Sequence, residues 1–210
     1  MSDPSFSSLW FGWIFCGALI ALLAMAAWTD SSHFLIPKWI TLPMLGLGIV
    51  ASIVRSVLLA GSGQGVNYLE VESAWLGGVD GFLFSLAGFA VGFGLLLVLW
   101  LLKSCGGGDV KLFAALGAWV GPWYVVIIWG VSVGVLIVLA FVKVLSYGLT
   151  PSAMEQVKKD AKRPKKNKDS AEPPAAPKFR MSYALPVLLA TLGVFYRIFG
   201  DELGLVPSSE

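Results

Sequence analysis

Two aspartates occupy places where a carboxylate is costly and therefore informative. Asp109 follows three consecutive glycines, Gly106, Gly107 and Gly108, in the stretch CGGGDVKLFAALGAWVG. That stretch interrupts a chain that is almost continuously apolar over Trp75–Lys103 before it and Trp123–Leu149 after it. A charged group at the edge of hydrocarbon marks a functional site by default. Asp30 lies in a comparable place, the short polar break TDSSHFLIPKW that follows the first apolar stretch. Two converging carboxylates cannot both ionise, so one holds a proton while the other serves as a base. Such a pair can activate water against a peptide carbonyl and protonate the leaving amine. The plainer alternative is that each is a cap or turn residue. Asp109, behind glycines and opening a helix, has the position that an N-cap prefers.

The neighbours of these aspartates divide by what they can contribute. Gly106–Gly108 can bend the backbone towards a substrate strand by adopting φ > 0, or can simply turn the chain between helices. Lys111 lies two residues past Asp109, about 200° round a helix, and so suits a headgroup or loop contact better than catalysis. The helix dipole favours an ionised Asp109 at a helix start and not Asp30 at a helix end, so Asp30 is expected to hold the shared proton. His33 and Cys105 also fall near the aspartates, which makes a Cys–His nucleophilic site conceivable. It is disfavoured because cysteines in apolar surroundings are usually inert. Asp80, near the start of the third apolar stretch, reads as a boundary residue. Cys16 and Cys105 are the only cysteines, and neither a metal nor a cofactor is expected.

The elements that must position these residues are membrane helices. Of 210 residues, 57% are hydrophobic and 13% charged, with mean hydropathy +0.78, far from a soluble domain. The apolar runs are continuous rather than alternating, which argues against a β-barrel. The expected fold is all-α, a polytopic membrane helical bundle of about six transmembrane segments. These are Leu9–Thr29, Trp39–Leu59, Trp75–Leu102, Val110–Val120, Trp123–Tyr147 and Tyr183–Phe199. The fourth is short because Gly121-Pro122 stops it. The first is kept as structure, since it lacks the basic flank of a signal peptide. Gly88/Gly92, Gly117/Gly121 and Gly130/Gly134 have the spacing of closely packed helices. The nine tryptophans read mostly as interfacial anchors.

The whole of 1–210 is expected to form a single membrane domain that includes one contrasting segment. Residues 150–180 hold nine basic and four acidic residues, a balance of +5, with Pro164, Pro173, Pro174 and Pro177 among them. The composition is that of a disordered solvated loop. Such a loop can contact anionic lipid, at about 1 kcal/mol per base near the surface. With almost no aromatics to stack on bases, it gives no reason to expect nucleic acid. The positive-inside rule makes this loop cytoplasmic. Counting back places the N-terminus outside and both Asp30 and Asp109 at the cytoplasmic surface, provided that the fourth helix counts as a crossing. Lys38, Lys103, Lys111 and Lys143 fall at cytoplasmic ends. Arg55 falls towards an outer end, where it can snorkel.

The stretch GGGDVKLFAALGAWVG resembles the GxGD motif of the type IV prepilin peptidase family, with Gly106, Gly108, Asp109 and Lys111 in place. DSSHFLIPKWITLP resembles that family's first motif through Asp30, Ile36, Pro37, Thr41 and Pro43. RMSYALPV is similar, less specifically, to the start of its last span. The resemblance runs from about Ala24 to Gly193. It implies an intramembrane aspartyl endopeptidase in which Asp30 and Asp109 match the catalytic pair. Gly106, Gly107, Gly108, Lys111, Ile36 and Pro37 would support the motifs or the substrate. The implied partners are prepilin or pseudopilin precursors, cleaved at the cytoplasmic face of a bacterial inner membrane, within the lipid bilayer. Longer members carry two CxxC pairs and a methyltransferase domain; this chain looks like the short form of tight-adherence, Flp-type systems. The alternative is a catalytically silent or ion-coupled membrane subunit of a pilus or secretion system. Ion coupling would call for polar residues along a path through the bilayer, and the first and fifth spans contain almost none.

Overall fold

Without water to satisfy the backbone, an apolar segment closes its hydrogen bonds within itself, and each apolar stretch here does so as a helix. A computed structural model describes residues 9–33, 38–61, 67–68, 73–103, 105–148 and 183–199. The elements are α1 (Leu9–His33), α2 (Lys38–Gly61), α3 (Ala74–Leu101), α4 (Gly107–Gly148) and α5 (Ala184–Phe199). The first four are long and apolar enough to cross a membrane, and α5 is a shorter apolar helix. The protein is a helical membrane bundle. Ile36, Pro37 and the basic segment 150–180 lie outside the described residues.

One boundary differs from expectation and one matches it. Helix α1 continues through the polar break to His33, so Asp30 sits in its last turn rather than in a connector. Thr29 fits there because its hydroxyl bonds back to the carbonyls of Met25 and Ala26, at 3.1 and 3.0 Å. The fourth and fifth expected spans are present as two helical limbs, together labelled α4, which meet at the expected break, Gly121 (φ 82, ψ 176). Phe113 and Ser132 would stand about 28 Å apart on a straight helix. Both nevertheless touch Tyr183, Phe113 by its ring at 5.9 Å and Ser132 by its hydroxyl at 3.1 Å. Helix α4 therefore folds back on itself. Its first limb, 107–120, rises only about 21 Å, short of the ~30 Å of hydrocarbon.

The fold in α4 has a local cause and a distant support. Only glycine accepts this φ easily, and the ring of Phe84 fills the space that a Cβ at Gly121 would need. Pro122 has no N–H, so the carbonyl of Ala118 loses its helical partner. Ser52 of α2, fully buried, donates its hydroxyl to that carbonyl at 2.9 Å. Beside it the Trp119 indole N–H donates to the Met44 carbonyl at 2.7 Å. Trp119 is a core residue and not an interfacial anchor, whereas Trp10, Trp28, Trp39, Trp75 and Trp123 are exposed. Helix α3 packs on the first limb so closely that a Cβ at Gly88 or Gly117 would strike the other's carbonyl. Gly130 and Gly134 face open space, so their spacing does not mark a packed seam.

Helix α3 packs most extensively on α4, α2 lies against both, and α5 bridges α1 and α4. The shared core is built from Leu19, Leu23 and Ala26 of α1, Met44, Leu96, Leu112, Leu116 and Val187. A polar cluster closes the end where α3 begins. Asp80 is fully buried there, not a boundary residue. Its Oδ2 accepts the backbone and side-chain N–H groups of Asn67 at 2.9 and 3.0 Å, and its Oδ1 accepts the Tyr68 N–H at 2.9 Å. Arg55 is also buried rather than snorkelling. It donates to Asn67 Oδ1 at 2.6 Å and lies 4.6 Å from the centre of the Phe84 ring.

Candidate active site

Asp109 is the third residue of α4. Its N–H bonds the Gly106 carbonyl at 3.1 Å while its Oδ2 accepts the Gly106 N–H at 3.0 Å. The carboxylate bond is one half of a capping box, supplied from the third helical position to the N-cap Gly106, and a backbone turn bond replaces the half that a side chain would make. The capping alternative therefore holds in a modified form: Asp109 closes the helix start from inside it. The capping bond uses Oδ2, and the side chain borders a cavity of about 400 Å³. Leu96 and Leu99 of α3 with Val133 and Leu136 of the second limb make its apolar walls. Lys103, Cys105 and Tyr183 supply its polar edge.

Asp30 reaches the same end of the bundle from the last turn of α1. It is 8% exposed, and its Oδ2 accepts the N–H of Ala184, the first residue of α5, at 3.3 Å. A helix start leaves its first N–H groups without partners inside the helix. Asp30 supplies one from a residue 154 positions away. Asp109 lies within electrostatic reach of Asp30. The dipole contrast expected between the two is lost, because Asp30 ends α1 but also faces the start of α5. Both carboxylates sit at helix N-termini, and the dipoles do not assign the proton to Asp30.

The remaining candidates separate clearly. Gly106 lines the Asp109 cavity, while Gly107 and Gly108 open the first turn of α4. None of the three adopts positive φ. The left-handed residue of the α3–α4 turn is Lys103 (φ 58), whose N–H bonds the Trp100 carbonyl at 2.9 Å. Lys111 points away from Asp109, into a separate groove of about 340 Å³ that it shares with Thr41, Phe89 and Phe93. A further cavity of about 400 Å³ borders the α1 side, lined by Ala27, Trp28, Ser31 and Leu185. The start of α5 borders both spaces, this one through Leu185 and the Asp109 cavity through Tyr183.

The surroundings of Cys105 disfavour a nucleophilic role. Burial, and then the Asp109 charge, push its thiol above the usual range, and the thiol faces the Leu96 carbonyl at 3.5 Å. A thiol kept protonated is a poor nucleophile. The side chain of His33 lies outside the described residues.

Tyr183, Ser132 and Trp129 escaped the reading of the sequence. Tyr183 and Trp129 line the cavity with Asp109, and Ser132 meets the tyrosine hydroxyl. Burial raises the phenol's pKa and the Ser132 bond lowers it, and the charges of Asp109 and Cys105 raise it further. The available signals were Tyr183 at the head of an apolar run and its place within RMSYALPV, which show where a helix begins but not what it faces.

Residues 17–148 match the sequence profile of the type IV leader peptidase family. Three bacterial relatives are named prepilin leader peptidase/N-methyltransferase. That of Dichelobacter nodosus is 34% identical over 127 residues, covering 58% of this chain and 36% of the relative. That of Xanthomonas campestris pv. campestris is 34% identical over 127 residues, covering 55% and 37%. That of Burkholderia pseudomallei is 33% identical over 111 residues, covering 50% and 29%. The matched stretch spans about a third of the length of these relatives. No solved structure matches the chain significantly.

Proposed function

The chain belongs to the type IV leader peptidase family, and on that premise we propose that it is an intramembrane aspartyl endopeptidase. Its substrates are prepilin or pseudopilin precursors, from which it removes the short basic leader. The observation that carries this reading is that Asp30 and Asp109 lie within electrostatic reach at one end of the bundle, with Asp109 lining a cavity.

The reaction needs a water, a base and an acid. One carboxylate takes a proton from water as its oxygen bonds to the scissile carbonyl carbon. The other, protonated, gives its proton to the carbonyl oxygen, leaving a neutral tetrahedral diol. Collapse returns one diol proton to the second carboxylate, while the first passes its proton to the departing nitrogen. The C–N bond breaks, and a carboxyl group and an amine leave. Each aspartate ends as it began. The bonds from Gly106 and Ala184 hold the two carboxylates in place, so little reorganisation is needed during the reaction.

The site is cytoplasmic in this proposal, in a bacterial inner membrane. Lys103 and Lys111 lie at the same end of the bundle as Asp109, and the composition of 150–180 favours the same side. Co-expression with a precursor carrying a basic leader, a glycine and an apolar helix tests the whole reading. Leader removal is expected for the unaltered chain and lost in Asp30→Asn and in Asp109→Asn. Cleavage retained by either variant would remove the dyad. A silent or ion-coupled subunit would tolerate Asp109→Asn, so the same experiment separates the two classes.

A further inference from the structure

The start of α5 meets Asp30 through Ala184 and borders the Asp109 cavity through Tyr183, and a chain of hydrogen bonds holds it there. Ser132 is fully buried, and its hydroxyl donates to the Trp129 carbonyl at 2.8 Å. A serine hydroxyl carries one hydrogen. The 3.1 Å contact between Ser132 Oγ and Tyr183 Oη must therefore be donated by the phenol. A phenol, with an ordinary pKa of about 10, is protonated at neutral pH and can donate. The Tyr183 ring lies 5.9 Å from the ring of Phe113, on the limb that carries Asp109. Its carbonyl accepts the Val187 N–H at 3.3 Å and closes the first turn of α5. The next residue is Ala184, whose N–H meets Asp30.

We propose that Tyr183 is a positioning residue of the active site: its hydroxyl, held by Ser132, fixes the first turn of α5 so that the Ala184 N–H keeps Asp30 aligned with Asp109. The proposal rests on the reading of Asp30 and Asp109 as a catalytic pair. Tyr183 touches neither the attacking water nor the scissile bond in this role; it acts through Ala184. Small displacements matter at such a site, since a shift of about 1 Å can cost about 100-fold in rate.

The test uses the full chain in detergent or liposomes with a prepilin-like peptide. Tyr183→Phe keeps the ring and removes the hydroxyl, and Ser132→Ala removes its acceptor. Each is expected to lower kcat by about tenfold with KM within about twofold, the size of one hydrogen bond. The double variant should be no worse than either single variant, because both break the same chain. Thr191→Ala removes another buried hydroxyl of α5, one that bonds only within the helix at 2.8 Å to Val187, and should leave kcat unchanged. Amide exchange at Ala184 gives a readout that needs no substrate, and it should quicken in Tyr183→Phe and Ser132→Ala. An unchanged kcat in Tyr183→Phe, multiplicative losses in the double variant, or unchanged exchange at Ala184 overturns the proposal. Cleavage by Asp30→Asn would instead overturn the catalytic reading, while faster exchange at Ala184 would still support the clamp on α5.

Discussion

At one end of the bundle Asp80 is fully buried and its two oxygens accept N–H donors from Asn67 and Tyr68. At the other end Asp109, among the described residues, accepts a single backbone N–H and borders a cavity of about 400 Å³. Both carboxylates sit in helices that hydrocarbon would surround, and both cost free energy to keep there. The cost is offset differently. Around Asp80 the donors occupy both oxygens, and Arg55 joins through Asn67, so nothing is left over for a ligand. Around Asp109 one oxygen is tied to a helix start, which fixes direction while the side chain still borders the cavity, and Asp30 is likewise anchored to the start of α5. Saturation marks structure and partial satisfaction beside an empty volume marks chemistry.

The same substitution at the two ends should therefore fail in opposite ways, and this is the largest effect expected. Asp109→Asn is expected to lower cleavage by at least about 10³-fold, because a member of a catalytic unit is lost. Its melting temperature should stay close to that of the unaltered protein. Asp80→Asn places an amide donor against the donors of Asn67 and Tyr68, and is expected to cost about 2–4 kcal/mol of stability. The fraction that remains folded should cleave at nearly the normal rate. Thermal denaturation and cleavage measured on the same preparations decide the matter. An Asp80→Asn protein that is stable but inactive would erase the distinction.

How much of this could be read from the chain depended on sequence distance. The capping bond between Gly106 and Asp109 spans three residues, and glycines before an acid announced a helix start. The break at Gly121-Pro122 was equally local, since proline and glycine act on their own turn. The reach of Asp30 to Ala184 crosses 154 residues, and that of Ser52 to Ala118 crosses 66. Neither leaves a pattern in hydropathy. The polar break after the first span misled for a related reason: apolar character ends at Thr29, but backbone hydrogen bonding continues to His33. Asp80 and Arg55 were misplaced because charge near a span end looks the same whether it faces headgroups or turns inward.

Two serines repeat the comparison between satisfied and unsatisfied groups on a smaller scale. Both Ser52 and Ser85 are fully buried. Ser52 completes the carbonyl that Pro122 leaves open, whereas Ser85 Oγ meets no hydrogen-bond partner among the described residues. Ser52→Ala should cost about 1–2 kcal/mol, since it strands the Ala118 carbonyl at the fold of α4. Ser85→Ala removes a hydroxyl that gains nothing and should be neutral or slightly stabilising. Urea or thermal unfolding in detergent separates them. Equal costs would mean that side-chain volume rather than the carbonyl decides both.

The smallest effect distinguishes two adjacent glycines and returns to the aspartate they precede. A Cβ at Gly106 would lie 3.3 Å from Asp109 Oδ2, while one at Gly107 would lie 3.6 Å from the Trp100 indole nitrogen. The first contact is tight enough to push the carboxylate by a few tenths of an ångström; the second is ordinary. Gly106→Ala is therefore expected to lower kcat by about three- to tenfold, in proportion to the displacement. Gly107→Ala should hold activity within about twofold and gain up to about 1 kcal/mol from better helix propensity. Steady-state cleavage and melting curves of the two variants read both effects. Neither glycine has a positive φ that alanine would strain, so a loss at Gly106 would come from the carboxylate and not from the turn. If the two variants lose activity alike, the glycines serve a close approach of substrate backbone to the whole segment, and the capping bond is not what aims Asp109.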